Sequence, residues 1–155
     1  EDLQLLCDEY NFKSVLYKKL KKGFYAENNS ADVIIVDTMG ELADLYYFAD
    51  IIFVGGSLIK RGGHNVIEAA ARSKVVLFGP SMYNFKEERD FLLENNVGFK
   101  VKNKEELYQK TYELLSNRDE MKYIGQNAGE ILAENRGAVD KHLQLTEFLF
   151  KKGVD

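Results

Sequence analysis

The sequence predicts an α/β domain, in which a parallel sheet with flanking helices is followed by a helical tail. Short apolar runs recur at steady intervals, segments with helical spacing separate them, and glycine-rich loops follow several of the runs. Strand, helix and strand in this rhythm indicate βαβ units. Apolar runs as short and continuous as these are typical of strands that are buried on both faces.

The predicted strands lie in the first two thirds of the chain. They occupy residues 33–36, 51–54, 75–78 and 99–101, with a weaker candidate at residues 15–17. The sheet core therefore extends over about residues 15–102. We treat the whole chain, residues 1–155, as one domain with this sheet at its centre.

The last third is predicted to be a helical tail over about residues 104–152. Asn103 is placed to cap the helix that begins near Lys104, because asparagine is a preferred N-cap residue. The next helix is marked by apolar residues on one face, namely Met121, Ile124, Ala128, Ile131 and Leu132. We expect Arg136 and Gly137 to end that helix, and a further helical segment to cover about residues 138–150.

The composition is that of a soluble globular domain and argues against several classes of protein. The 155 residues carry a net charge of −4, whereas a general nucleic-acid binder needs a basic surface. Cys7 is the only cysteine, so an internal disulfide is excluded. No apolar run reaches the roughly 18 residues that cross a bilayer. The chain does not begin with Met, so we expect it to be part of a longer protein.

The residues best suited to chemistry follow three of the predicted strands. They form the loops 37–41, 55–68 and 79–84. Ligands of open α/β sheets bind in the crevice beyond the carboxyl ends of the strands. We therefore expect these loops to lie along one edge of the sheet and to form a nucleotide site.

The pair Gly62 and Gly63 starts the most informative stretch. The pair permits a tight turn, after which His64 or Asn65 begins a helix. A glycine turn that leads into a helix N-terminus favours phosphate binding. Glu68, in the first helical turn, can accept hydrogen bonds from two ribose hydroxyls. Each feature alone also has an ordinary structural explanation, and a histidine such as His64 is more often a cap than a catalyst.

Two other groups of residues are interpreted as structural. Tyr46–Phe48 is expected to belong to the core rather than to a stacking platform. The lysines within residues 18–22 are expected to form a solvated face, with a patch near anionic lipid as the alternative.

Several strings in the three loops occur in an order and spacing that point to one family. They are DTMGEL at 37–42, FVGGSL at 53–58, RGGHN at 61–65 with Glu68, FGP at 78–80 and NF at 84–85. Together they resemble the C-terminal domain of the Kdo (3-deoxy-D-manno-octulosonic acid) transferases, over about residues 30–100. The resemblance implies a Rossmann-like parallel sheet that forms the C-terminal half of a GT-B glycosyltransferase fold, truncated at its N-terminus.

The resemblance also implies a function and a set of binding residues. The parent protein would transfer Kdo from CMP-Kdo to a lipid A precursor in lipopolysaccharide biosynthesis, at the cytoplasmic face of the bacterial inner membrane. The stretches that contact the CMP moiety in the family match Met39, Gly40 and Glu41, and Asn65, Val66, Ile67 and Glu68. The neighbouring donor-site loops would contribute Gly55, Gly56, Ser57, Arg61, Gly62, Gly63 and His64.

The chain departs from the family in ways that limit what it can do. Val66 stands where the family commonly has proline, and an upstream His-Pro-Glu-Arg-like motif is absent. The family's general base lies in an N-terminal domain that also receives the lipid A precursor. We therefore assign no catalytic residue, metal or cofactor to this chain, and expect the fragment alone to be inactive.

The family's C-terminal domain begins with two further strands at the centre of its sheet. In that arrangement, this chain would supply the strand near Val15 on one side of the two further strands and the four clear strands on the other side. Open strand edges invite pairing, so the fragment should self-associate or rearrange its first about 30 residues.

Two other functions stay open. A GT-B transferase or epimerase that uses a UDP-sugar would share the glycine loop and the ribose carboxylate, and competition between UDP and CMP would separate the two. A non-enzymatic α/β binding module is the other alternative. A hydrolase is disfavoured because the chain has no Gly-x-Ser-x-Gly motif.

Overall fold

A computed structural model describes residues 2–23 and 30–152, with the backbone alone for residues 136–152. The chain divides into two compact units, Glu1–Leu42 and Ala43–Asp155. Parallel strands flanked by helices occur in each unit, so the predicted α/β class is confirmed. The strands are distributed over two sheets, one in each unit, so the expectation of a single sheet with all three loops along one edge is wrong.

The N-terminal unit contains a two-stranded parallel sheet. Its elements are α1 (Asp2–Glu9), β1 (Ser14–Leu16), α2 (Tyr17–Lys21) and β2 (Val33–Ile35). Strand β1 pairs directly with β2, with Ser14 opposite Val33. In the family's arrangement these two strands lie on opposite sides of further strands, whereas here the backbone N–H and C=O groups of each strand edge are satisfied by pairing with the other.

The C-terminal unit contains a three-stranded parallel sheet in the order β3–β4–β5. The elements are α3 (Leu42–Leu45), a short 3-10 helix (Tyr46–Phe48), β3 (Ile51–Val54), α4 (Ile67–Ala70), β4 (Val75–Phe78), α5 (Lys86–Glu94), β5 (Gly98–Lys100), α6 (Lys104–Ser116) and α7 (Arg118–Lys152). Ile51 lies opposite Val75, and Val76 lies opposite Gly98. The carboxyl ends of β3 and β4 therefore meet at the same edge.

The central strand β4 is buried on both faces, as its continuous apolar run predicts. Val76 and Phe78 pack into one cluster with residues of α4, α5 and α7. Val75 and Leu77 pack into a second cluster with residues of α6 and of the start of α7. The alternation follows from the two-residue period of a strand, and it places helices on both sides of the sheet.

The helical tail differs from the prediction at one point. The Asn103 side chain accepts a hydrogen bond from the Glu106 N–H at 2.8 Å, so the predicted cap of α6 is confirmed. Helix α7 continues to Lys152, and the expected break at Arg136 and Gly137 is wrong. A glycine inside a helix costs only about 1 kcal/mol, which does not by itself end the helix.

The short 3-10 helix at Tyr46–Phe48 is only partly core. Tyr46 packs against the cluster around β4, whereas Tyr47 is 61% exposed and Phe48 is 87% exposed. The expectation that all its members are buried is therefore wrong. Three residues complete one turn of a 3-10 helix, so successive side chains point in three directions and only one can face the core.

Candidate functional site

Ser57 joins the loop after β3 to the loop after β4. It is fully buried, and its hydroxyl donates a hydrogen bond to the Val54 carbonyl and accepts one from the Gly79 N–H at 2.7 Å. Its carbonyl accepts a hydrogen bond from the Ser81 N–H at 2.8 Å. The loops after β3 and β4 therefore lie side by side, and the Ser57 hydroxyl is used inside the protein rather than presented to a ligand.

The glycine turn packs against the loop after β4. Gly62 and Gly63 are buried and have φ of +84° and +68°, a backbone region that residues other than glycine rarely adopt. A Cβ atom at Gly62 would collide with the Asn84 amide and the Tyr83 ring, and one at Gly63 would collide with the Met82 sulfur. Both positions therefore require glycine, for backbone conformation and for space.

Asn65 lies just before the short helix that follows the turn, and the expectation that the helix begins at His64 or Asn65 is wrong, because it begins at Ile67. The Asn65 side-chain oxygen accepts a hydrogen bond from the Ile67 N–H at 2.9 Å, whereas His64 is exposed. Val66 is fully buried, and Ile67 packs against the core, so their side chains serve the fold. Helix α4 has only four residues, so its dipole is weak. Any phosphate site here depends on the N–H groups of the glycine turn itself.

Glu68 is exposed at the start of α4 and lies close enough to Tyr46 to affect its ionisation. Burial raises the pKa of Tyr46, and the negative charge of Glu68 raises this pKa further. The two residues are far apart in sequence, and no local pattern relates them. The charge of the carboxylate predicted to hold a ribose therefore acts on a phenol, a relationship that sequence reasoning missed.

The loop after β2 belongs to the N-terminal unit. Glu41 accepts hydrogen bonds from the Lys21 ammonium and the Thr38 hydroxyl. Asp37 accepts one from the Lys18 N–H at 3.0 Å. Met39 is 97% exposed. The loop is therefore anchored at both ends, and its centre is open to solvent.

The charges of Lys21 and Glu41 stabilise each other. The hydrogen bond from Lys21, followed by the one from Thr38, lowers the pKa of Glu41. The hydrogen bond to Glu41 and its charge raise the pKa of Lys21. The interpretation of the lysine run as a solvated face therefore missed this pair, because nothing in the local sequence relates α2 to the loop after β2.

The predicted site residues are placed in two groups. The structure brings the loop of Gly55, Gly56 and Ser57 against the loop after β4, and that loop against Gly62 and Gly63. Arg61, like Gly55, is exposed. The stretch from Met39 to Glu41 belongs to the other unit. Among residues 2–23 and 30–135, whose side chains the structure describes, no cluster of histidine, cysteine, aspartate or glutamate could hold a metal ion.

The sequence has relatives among characterised enzymes. A 3-deoxy-D-manno-octulosonic acid transferase of Haemophilus influenzae is 36% identical over 154 residues, which cover 95% of this chain and 36% of that protein. The chain is a relative of the 3-deoxy-D-manno-octulosonic acid (Kdo) transferases. The Kdo transferase of Rickettsia felis is 39% identical over 123 residues, which cover 77% of this chain and 26% of that protein. The chain thus spans about a third or less of the length of these relatives. No protein-family model matches it.

A solved structure shares the fold. It is the crystal structure of the C-terminal CMP-Kdo binding domain of WaaA from Acinetobacter baumannii, with a TM-score of 0.73 and 23% identity. The match covers 84% of this chain and 66% of that one. The predicted α/β fold, with parallel strands flanked by helices, is thereby confirmed as the fold that this domain shares. Within the part of the chain that the structure describes, no helix has the length and apolarity of a membrane span.

Proposed function

We propose that this chain is the CMP-binding part of an inverting glycosyltransferase that transfers Kdo from CMP-Kdo to a lipid A precursor in lipopolysaccharide biosynthesis. The observation that carries the proposal is the 36% identity over 95% of the chain to a Kdo transferase. The hydrogen bonds and packing that hold the loops after β3 and β4 together support it. A glycine turn held in place at the carboxyl edge of a parallel sheet suits a phosphate.

The binding residues are proposed to act in two groups. In the C-terminal unit, the exposed Glu68 carboxylate would accept hydrogen bonds from the ribose hydroxyls. The turn at Gly62 and Gly63 is proposed to lie against the phosphate, with the Gly62 N–H directed to the Ser81 hydroxyl. In the N-terminal unit, Met39, Gly40 and Glu41 are proposed as CMP-contacting residues from their match to the family's Met-Gly-Glu stretch alone. The ion pair with Lys21 keeps Glu41 charged, so Glu41 can act only as an acceptor.

The remaining parts of the reaction are proposed to lie outside these residues. No side chain here is assigned as the general base, which would come from an N-terminal domain together with the acceptor site. The complete protein would work at the cytoplasmic face of the inner membrane, where the lipid A precursor is presented.

Nucleotide titration separates this function from its nearest alternative. Calorimetric titration of the complete encoded protein with CMP and with UDP should give tighter binding of CMP. Tighter binding of UDP would favour a transferase or epimerase that uses a UDP-sugar. Transfer of Kdo from CMP-Kdo to a lipid A precursor by the same protein tests the reaction, and a protein that binds CMP without any transfer would contradict the enzyme assignment.

A further inference from the structure

We propose that Ser57 is a positioning residue of the donor site: it acts through the loop 79–84 and holds the glycine turn in the conformation that binds the nucleotide. This inference rests on the proposed function, and it changes the role that the sequence suggests for Ser57. It does not touch the ligand. It connects the loop after β3 to the loop after β4, which are separated in the chain by α4 and β4.

The first link of this connection is the buried hydroxyl. Ser57 has no exposed surface, and its hydroxyl both donates to the Val54 carbonyl and accepts from the Gly79 N–H at 2.7 Å. A Cβ atom at Gly79 would collide with the Ser57 backbone, so the two segments are in direct contact. Loss of the hydroxyl would leave the buried Gly79 N–H and the Val54 carbonyl without this hydrogen-bond partner. The contact between the two loops would therefore be weaker.

The second link runs from the loop after β4 to the glycine turn. The Ser81 N–H is held by the Ser57 carbonyl at 2.8 Å, and the Ser81 hydroxyl lies 3.4 Å from the Gly62 N–H. The next residue, Met82, is fully buried with its sulfur against Gly63. A shift of the loop at Ser81 would therefore move the wall on which both glycines rest.

The consequence for binding follows from pre-organisation. A turn whose N–H groups bind a phosphate must hold them in one geometry, and a turn that is already fixed loses less entropy when the ligand arrives. Gly62 and Gly63 have no side chains whose contacts could hold the turn in one conformation. Its conformation therefore depends on packing against the neighbouring loop. Ser57 determines the place of that loop.

The test uses Ser57→Ala, with Asn103→Ala as the matched control, in the complete encoded protein. Asn103 also loses a side-chain hydrogen bond to a backbone N–H, but at the start of α6 rather than at these loops. In Ser57→Ala, we expect faster hydrogen exchange of the amides at 62–63 and about tenfold weaker CMP binding, as lost pre-organisation predicts. In Asn103→Ala, CMP affinity and exchange at the turn should match the wild type.

Three results would overturn the proposal. The first is wild-type CMP affinity in Ser57→Ala. The second is amide hydrogen exchange in Ser57→Ala that rises evenly over β3–β5 instead of at the glycine turn. The third is an equal loss of CMP affinity in the Asn103→Ala control. Should Ser57→Ala fail to fold, Ser57→Cys replaces the hydroxyl with a slightly larger thiol that forms weaker hydrogen bonds, and a smaller effect in the same direction is expected. Absence of CMP binding by the wild type would instead contradict the proposed function, and is thus distinguished from failure of the Ser57 inference alone.

Discussion

The ammonium group of Lys21, at the end of α2, donates a hydrogen bond to the carboxylate of Glu41, in the loop after β2. The same carboxylate accepts a hydrogen bond from the Thr38 hydroxyl. Glu41 is one of the residues proposed to contact CMP, whereas Lys21 and Thr38 are not. The charge and position of Glu41 are therefore determined by two residues that have no proposed contact with the ligand. The pair belongs entirely to the N-terminal unit.

Removal of the lysine should raise the pKa of Glu41. In Lys21→Met, the carboxyl loses its largest stabilising partner and its pKa moves back towards the ordinary value for glutamate. Carbon-detected NMR titration of the Glu41 carboxyl measures this shift. Lys22→Met, in the same basic run, is the control and should leave the pKa of Glu41 as it is. An unchanged pKa in Lys21→Met would contradict the pairing.

The same pair defines a pH window for its small stabilising effect. Because the folded pKa of Glu41 is lowered, its contribution is complete above the ordinary pKa of glutamate and disappears as the pH falls through the lowered value. Because the folded pKa of Lys21 is raised, its contribution is complete below the ordinary pKa of lysine and disappears as the pH rises through the raised value. Unfolding measured against pH should therefore differ between wild type and Lys21→Met mainly between these limits.

Glu68→Gln should weaken CMP binding while leaving the fold intact. Loss of a charge-assisted hydrogen bond to ribose corresponds to about 1.5–3 kcal/mol, or roughly ten- to a hundredfold in affinity. Calorimetric titration with CMP measures the effect, with thermal unfolding as a check on the fold. Glu105→Gln, another first-turn glutamate, is the matched control on α6 and should bind CMP normally. Equal affinities of wild type and Glu68→Gln would remove Glu68 from the site.

Gly63→Ala should destabilise the C-terminal unit. The positive φ costs about 1–2 kcal/mol for a residue with a Cβ atom, and the collision with the Met82 sulfur adds to that cost. Gly55→Ala is the control, because its φ is not positive and a Cβ atom there would meet nothing within 4 Å. Urea unfolding compares the two variants. Similar unfolding midpoints for both would mean that the turn does not need glycine at position 63.

Asn103→Ala should lower the free energy of unfolding by about 1 kcal/mol, the usual cost of losing an N-cap. The cap is reinforced by the Glu106 carboxylate, which accepts a hydrogen bond from the Lys102 N–H at 2.9 Å. Urea unfolding at neutral pH measures the difference. Asn103→Asp retains an acceptor and should restore most of the stability, whereas equal losses in both variants would argue against capping.

Local patterns predicted the elements whose cause is local. The apolar run at 75–78 indicated a strand buried on both faces, and β4 is Val75–Phe78 with both faces covered. Asn103 indicated the start of α6 because a cap involves only residues within one helical turn. The break expected at Gly137 failed because the preference of one glycine is smaller than the cooperative stability of a long helix.

The sequence by itself determined the α/β class, the glycine turn and the order of the loops, since each depends on residues close together in the chain. Only the tertiary structure decided that Ser57 is a buried connection between two loops, that Lys21 pairs with Glu41, and that the charge of Glu68 raises the pKa of Tyr46. It also decided that β1 pairs with β2. These relationships join residues about 20 positions apart. They depend on which strand edges and loops meet in space. Local residue preferences do not specify these long-range contacts.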